Sequence, residues 1–217
     1  MESKEFTIVT FDLPGFGRSV LPEDSKTDPT GDYFELCAQV GAELMAKLGY
    51  KTYSLGGWND GARVASKLAI RYQSRVDALL LWGFAPIMDE RSCGAIARTR
   101  DTSIWDPQVR EFYSSVYGEQ RFSDLWRKYV DYIVATLELP DQFDMRAELS
   151  KIKCPTLVLH GSSDPIISFK EHVKPLEMQI YDSDIMQFKG LAHNIHQADP
   201  DQFNQVLKTF VTSIRAC

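Results

Sequence analysis

The stretch Tyr53-Ser-Leu-Gly-Gly-Trp-Asn-Asp-Gly-Ala-Arg-Val-Ala-Ser-Lys-Leu68 constrains the fold more than any other part of the chain. Tyr53 to Leu55 is a short apolar run that reads as a buried strand. Gly56 and Gly57 end it, Gly57-Trp58-Asn59-Asp60-Gly61 makes a five-residue turn, and Ala62 to Ala69 reads as a helix. Strand, tight glycine turn and helix is the setting in which Gly-x-Ser-x-Gly lifts a nucleophile above the end of a sheet. The glycines are needed because backbone passes backbone where a Cβ would clash. Here the lifted residue is Asn59, so the setting for a nucleophile is present and carries an amide.

The rest of the chain supplies a sheet for this turn to stand on. Phe6 to Phe11 is a β-rich run, followed by the turn-rich Asp12-Leu-Pro-Gly-Phe-Gly-Arg-Ser19. Gly15-Phe16-Gly17 is not a phosphate loop, because no Gly-Lys-Ser or Gly-x-Gly-x-x-Gly completes it. Leu21 to Gly31 is polar and proline-bearing, hence loop. A helix is predicted from an Asp32 cap, with Glu35 as its capping-box partner, to about Leu48, burying Leu36, Val40, Leu44 and Leu48. Ala78 to Gly83 is a continuous apolar run, as expected of a parallel strand covered on both faces.

From 85 to 149 strand character disappears, and aromatic and charged residues recur at helical spacing. This predicts a helical lid inserted into the sheet domain, with some of its aromatics lining a pocket. Strand character returns at Cys154–His160 and at Asp184–Phe188. Lys189 to His196 is loop, and Asp199-Pro200 caps a last helix through about Ile214. The expectation is one α/β domain over 1–217, a mostly parallel sheet with helices on both faces.

Composition narrows the function. The chain has 217 residues, 44% of them hydrophobic, enough for one real core. Its net charge of −6 argues against nucleic acid and anionic membrane as partners. No apolar run is long enough to span a bilayer, and Met-Glu-Ser-Lys-Glu is no signal peptide, so an intracellular protein is expected. Cys37, Cys93, Cys154 and Cys217 are scattered without a Cys-x-x-Cys, which suits a reducing compartment and predicts neither metal nor cofactor. A monomer with a small-molecule ligand is the expectation.

Three loop residues each follow a predicted strand: Asn59, Asp164 in Gly161-Ser-Ser-Asp-Pro165, and His193. Their order is nucleophile position, acid, histidine, the order of the α/β-hydrolases. The chain resembles that family, and within it the biphenyl hydrolase-like, or valacyclovir hydrolase, group. The stretches that carry the resemblance are Phe11–Ser19, Leu55–Gly61, Leu81–Gly83, Cys154–Pro165 and Gly190–His196. It implies hydrolysis of α-amino acid esters, with Asp164 and His193 as acid and base and Asp60 paired with the substrate's α-ammonium. It also implies that the N–H of Asp60 is one oxyanion donor, and that the compartment is cytoplasmic or mitochondrial. An N-cap role for Asp60 in the following helix is the alternative.

Two departures from the family pattern bear on activity. Asn59 stands where the family has serine. The chain also begins at what resembles the family's fourth strand, so the family's N-terminal strands, and the loop bearing its second oxyanion donor, are expected to be absent. That absence predicts either a gap beside the first strand or direct pairing across it. Three readings stay open: an ester hydrolase with impaired activity, a non-catalytic pseudo-hydrolase binding a small ligand or partner, and a shortened or engineered form of an active hydrolase.

Overall fold

Leu79, Leu80 and Leu81 are all buried, yet they serve two different cores. Successive side chains of a strand point to opposite faces, so a run of leucines fits only a strand covered on both sides. This strand is the second of four in a wholly parallel sheet. The computed structural model describes residues 5–19, 31–138 and 143–215. The expected loop over 21–30, the Asp32 side-chain cap and Cys217 lie outside the described residues. The strands are β1 Tyr53–Trp58, β2 Val76–Trp82, β3 Thr156–Gly161 and β4 Ser183–Phe188, ordered β1-β2-β3-β4. Leu79 stands opposite Leu55 on β1 and Thr156 on β3.

The helices described over their whole length are α1 Gly31–Lys47, α2 Asp60–Arg71, α3 Glu90–Ala97, α4 Pro107–Tyr117, α5 Glu119–Ala135, α6 Leu176–Gln179, α7 Ile195–Ala198 and α8 Pro200–Arg215. On one face, Leu79, Leu81 and Val158 pack with α1 and α2. On the other, Leu80, Leu157, Leu159 and Phe188 pack with Phe203 and Val211 of α8. Asp199 caps α8 by accepting from Gln202 N–H at 3.0 Å.

The segment between β2 and β3 holds α3, α4 and α5, and no strand occurs among its described residues. Local signals set its helix starts. Asp89 accepts from Ser92 N–H at 2.7 Å at α3, and Asp106 accepts from Gln108 N–H at 2.9 Å ahead of Pro107 at α4. Both ends of the segment are fastened by buried Arg63 on α2. Its guanidinium donates to Ala85 O at 2.7 Å and Phe143 O at 3.0 Å, and stacks 4.2 Å from the Phe143 ring centre.

Four expectations need correction. Phe6–Phe11 forms no strand. A cavity of about 660 Å³ lies between it and β1, so among the described residues it has no neighbour within ladder distance. On α1 the buried face is Tyr33, Phe34, Cys37, Ala38 and Ala42, while Leu36 and Leu48 are exposed. Small residues on this face allow close approach to Ala62, Ala65 and Ala69 of α2, which leucines would prevent. The strand before the turn runs through both glycines to Trp58, and α2 starts at Asp60, so one residue, Asn59, makes the reversal. Within the expected loop at 189–196, Ile195 begins the short α7, with Ile195 itself buried.

Candidate active site

Asn59 has φ 53° and ψ −118°, the only positive φ on a non-glycine among the described residues. Such a conformation costs about 1–3 kcal/mol and persists where its surroundings enforce it. The enforcing contacts are visible. Asn59 N–H donates to Trp82 O at 3.1 Å across the strand ends, and Asn59 O accepts from Ala62 N–H at 3.0 Å in the first turn of α2. A Cβ on Gly57 would lie 2.2 Å from Gly61 O and 2.6 Å from Ala62 Cα, so only glycine lets α2 fold back onto β1 here. The N–H of Asp60 sits in the first turn of α2, where amides have no intrahelical acceptor and the helix dipole favours negative charge.

Asp164 and His193 come together from the loops after β3 and β4. Ser162 N–H donates to Phe188 O at 3.0 Å, Ser163 N–H to Leu191 O at 2.9 Å, and Gly190 N–H to Ser162 Oγ at 2.8 Å. Gly161 permits this docking, since a Cβ there would lie 2.1 Å from Ala192 O. His193 Nδ1 lies 2.8 Å from Asp164 Oδ2, and Asp164 Oδ1 accepts from Ile166 N–H at 2.8 Å and Ile167 N–H at 3.0 Å. Burial alone would raise the Asp164 pKa. The His193 hydrogen bond and the two amides outweigh it and hold the carboxyl below its ordinary value. An ionised carboxylate only accepts, so Nδ1 carries the proton, and in the neutral ring Nε2 is an open lone pair.

A pocket of about 420 Å³ opens at the turn. Asn59 and Asp60 line it together with Phe16, Trp105, Trp126 and Tyr129. His193 and Asp164 do not line it, and His193 Nε2 is buried without a hydrogen-bond partner. The structure therefore joins Asp164 to His193 and puts Asn59 and Asp60 at one pocket, with no hydrogen bond from His193 to Asn59. Burial raises the Asp60 pKa, opposed by the nearby Arg63 charge and a hydrogen bond from Tyr129. The N-cap alternative for Asp60 is not realised, because Asp60 is the first residue of α2 and Asn59 occupies the cap position.

Several residues around the site escaped sequence reasoning. The Trp58 ring centre lies 5.4 Å from that of His193 and 4.9 Å from that of His196, whose Nδ1 accepts from Trp82 Nε1–H at 3.1 Å. Gly83, at φ 55°, leaves room for both rings, since a Cβ there would lie 2.7 Å from His193 Cε1 and 2.9 Å from Trp58. Tyr129 and Arg63 reach Asp60 from α5 and α2. Tyr129 is among the aromatics of 85–149 expected to line a pocket, whereas the roles of Arg63 and Trp58 depend on burial and distance, which a linear pattern does not carry. Among the described residues no cluster of three or more His, Cys, Asp and Glu could hold a metal ion.

Elbow, acid–histidine pair and parallel sheet define a class that comparison bears out: residues 2–206 match the alpha/beta hydrolase family, and the chain belongs to it. Within it, the chain is 30% identical over 211 residues to the serine hydrolase BPHL of Homo sapiens, covering 97% of this chain and 71% of that protein, with the same figures for BPHL of Mus musculus. Among solved structures, a bacterial membrane phospholipase A superposes with a TM-score of 0.71 at 19% identity, over 95% of this chain and 70% of that one. Proline iminopeptidase of Mycobacterium smegmatis superposes at 0.64 and 20% identity, over 93% and 78%. At these identities the structures establish the fold alone.

Proposed function

We propose that this chain is built as an α-amino ester hydrolase whose own turnover is impaired by Asn59. The observation that carries the reading is Asn59 itself. It is held at positive φ, at the mouth of an aromatic pocket, beside a carboxylate and one residue before a helix N-terminus. In this reading the acyl carbon of a substrate sits over Asn59. The Asp60 N–H faces the carbonyl oxygen, and the Asp60 carboxylate makes a charge-assisted contact with the ammonium. Asp164 fixes the tautomer and orientation of His193, which would take a proton from a hydroxyl nucleophile and return it to the leaving alcohol. The helical segment 85–149 serves as the lid, its Trp105, Trp126 and Tyr129 packing around the substrate's apolar part.

An amide cannot complete this chemistry. Its nitrogen lone pair is delocalised into the carbonyl, and proton removal by an imidazole does not produce a usable nucleophile near neutral pH. A second reading, a non-catalytic binder of a small amine-bearing ester, is favoured by one feature: the Asn59 side chain makes no capping bond to α2, so its donors and acceptor are available to a ligand.

The test compares the chain with an Asn59→Ser variant on an α-amino acid ester and on the matching ester lacking the amine. Turnover gained by the variant, with preference for the amine, supports the first reading. Saturable binding of the amino ester by both proteins, with turnover by neither, favours the second. Absence of both turnover and binding sinks both.

A further inference from the structure

Ser92 on α3 and Asp164 after β3 are joined through a single peptide group. Ser92 has no exposed surface, and its hydroxyl donates to Ile166 O at 2.8 Å. That carbonyl belongs to the same planar unit as the N–H of Ile167, which donates to Asp164 Oδ1 at 3.0 Å. Ile166 N–H, one peptide earlier, donates to the same oxygen at 2.8 Å. The other carboxylate oxygen faces His193 Nδ1 at 2.8 Å. A continuous line of hydrogen bonds thus runs from α3, which opens the helical segment 85–149, to the imidazole. Ser92, Ile167, Asp164 and His193 are all buried along it.

Ser92 is itself braced. Its N–H donates to Asp89 Oδ1 at 2.7 Å, and Asp89 Oδ2 lies 3.4 Å from His172 Nε2. His172 sits on a π-helical turn, Phe169–Val173, and is buried. Its Nδ1 accepts from Ser168 N–H at 3.3 Å, so in the neutral ring the proton is on Nε2 and faces Asp89. Burial lowers the His172 pKa, which favours that neutral ring. The start of α3 therefore grips the segment after Asp164 at two places, Ile166 and His172. The two amides that hold the carboxylate lie at the first of them.

We infer that Ser92 is a positioning residue for the Asp164–His193 pair. Its hydroxyl fixes the Ile166–Ile167 peptide, that peptide fixes the carboxylate, and the carboxylate orients the ring. A donor on the carbonyl also polarises the peptide, which strengthens the bond its N–H gives to Asp164. Without the hydroxyl the buried carbonyl loses this donor and the peptide is free to tilt, taking both amides off the carboxylate. The effect on turnover rests on the hydrolase reading proposed above, whereas the effect on the pair itself does not.

The test uses Ser92→Ala and, as a second route, Asp89→Asn, which keeps a helix cap at α3 and replaces the acceptor facing His172. Cys93→Ala, a buried change on the same helix away from the acid loop, is the control. Two readouts need no turnover and are taken on the otherwise unaltered chain. One is the low-field proton resonance of His193 Nδ1–H, assigned by its loss in His193→Gln. The other is amide exchange at Ile166 and Ile167. Both variants should shift the His193 resonance upfield or broaden it away, and should speed exchange at the two amides about tenfold, while β2 amides keep the parent rates. Cys93→Ala should leave both readouts at parent values. In the Asn59→Ser background, Ser92→Ala should lower kcat about tenfold to a hundredfold with KM within about twofold of its parent. An unmoved His193 resonance, an equal response in Cys93→Ala, exchange that rises equally in β2 and β3, or an unchanged kcat in an active Asn59→Ser background overturns the proposal. If the resonance and the two amides respond but Asn59→Ser creates no turnover, the hydrolase reading falls and the positioning role stands.

Discussion

His193 Nδ1 and Asp164 Oδ2 lie 2.8 Å apart, and the ring's other nitrogen is buried with no partner. An imidazole held by one nitrogen with the other left open is an oriented base lacking an acid to serve. In an Asn59→Ser background, Asp164→Asn and His193→Ala should each lower kcat by about 10³–10⁴-fold. The same substitutions in the unaltered chain should leave its turnover where it was, because losses within one catalytic unit are not additive. Steady-state kinetics of the two backgrounds and the four variants made in them checks this. Undiminished turnover in the Asn59→Ser, His193→Ala double variant would remove His193 from the mechanism.

The same pair makes a statement about acid stability. The Asp164 carboxyl is held below its ordinary value, so its ionised form binds better in the folded state than in the unfolded one. Its contribution is complete above the unfolded pKa, about 3.9, and is lost as pH falls through the lower folded value. Asp164→Asn should therefore lower stability by roughly 1.5–3 kcal/mol near neutral pH. The gap to the parent should close below about pH 4. Urea unfolding across this range measures it; a gap independent of pH would place the loss in packing.

Asp60 has the opposite sign. Its pKa is raised, chiefly by burial, so the fold favours the protonated form. The contribution of that form is fully present below the unfolded pKa and disappears as pH rises through the folded value. Asp60→Asn, neutral at every pH, should match the parent at low pH and become relatively more stable as pH rises. In the Asn59→Ser background it should also erase preference for the amine-bearing ester, chiefly through KM. Thermal unfolding against pH, paired with kinetics on the two esters, tests both halves. A variant less stable at neutral pH than at low pH, relative to the parent, would refute the stability half.

Gly56 and Gly57 are adjacent in sequence and should respond differently to the same substitution. A Cβ on Gly57 would lie 2.2 Å from Gly61 O, whereas one on Gly56 would meet Trp82 at an ordinary 3.5 Å. Gly57→Ala should cost about 3 kcal/mol or more, as expected for forced overpacking against backbone. Gly56→Ala should stay within about 1 kcal/mol of the parent. Denaturant midpoints decide it. Equal losses would mean that the turn relaxes around an added methyl group.

What the sequence made legible follows from range. The turn at Asn59 could be read because its constraint lies within five residues, and the Asp164 and His193 loops because each follows an apolar strand. Phe6–Phe11 was misread because β propensity states what a segment can do, whereas strand formation needs a neighbour at ladder distance. The apolar stripe expected from Leu36 to Leu48 held only in part, with Val40 and Leu44 half-buried and Leu36 and Leu48 exposed: periodicity identifies an apolar face, and the small residues of α1 and α2 determined which face approached. Trp58 and Arg63 act across contacts that no local pattern encodes, whereas Tyr129 belongs to the helically spaced aromatics that a pocket lining was expected to draw on.

Arg63 joins the two ends of the helical segment, and its chemistry makes it hard to replace. It forks to Ala85 O and Phe143 O, 22 and 80 residues away in the chain, while its plane lies over the Phe143 ring. A lysine ammonium is a point donor without a planar face, so Arg63→Lys should leave at least one of the two carbonyls unpaired and lose the stacking contact. The expected cost is about 2–4 kcal/mol, the range for a buried acceptor left unsatisfied together with a lost charged hydrogen bond. Because both carbonyls flank α3–α5, the loss should appear first as local opening. Amide exchange should accelerate across α3, α4 and α5 under conditions where β2 and β3 remain protected. If exchange instead rises equally throughout the chain, Arg63 supports the whole core and does not act as the clasp of this segment.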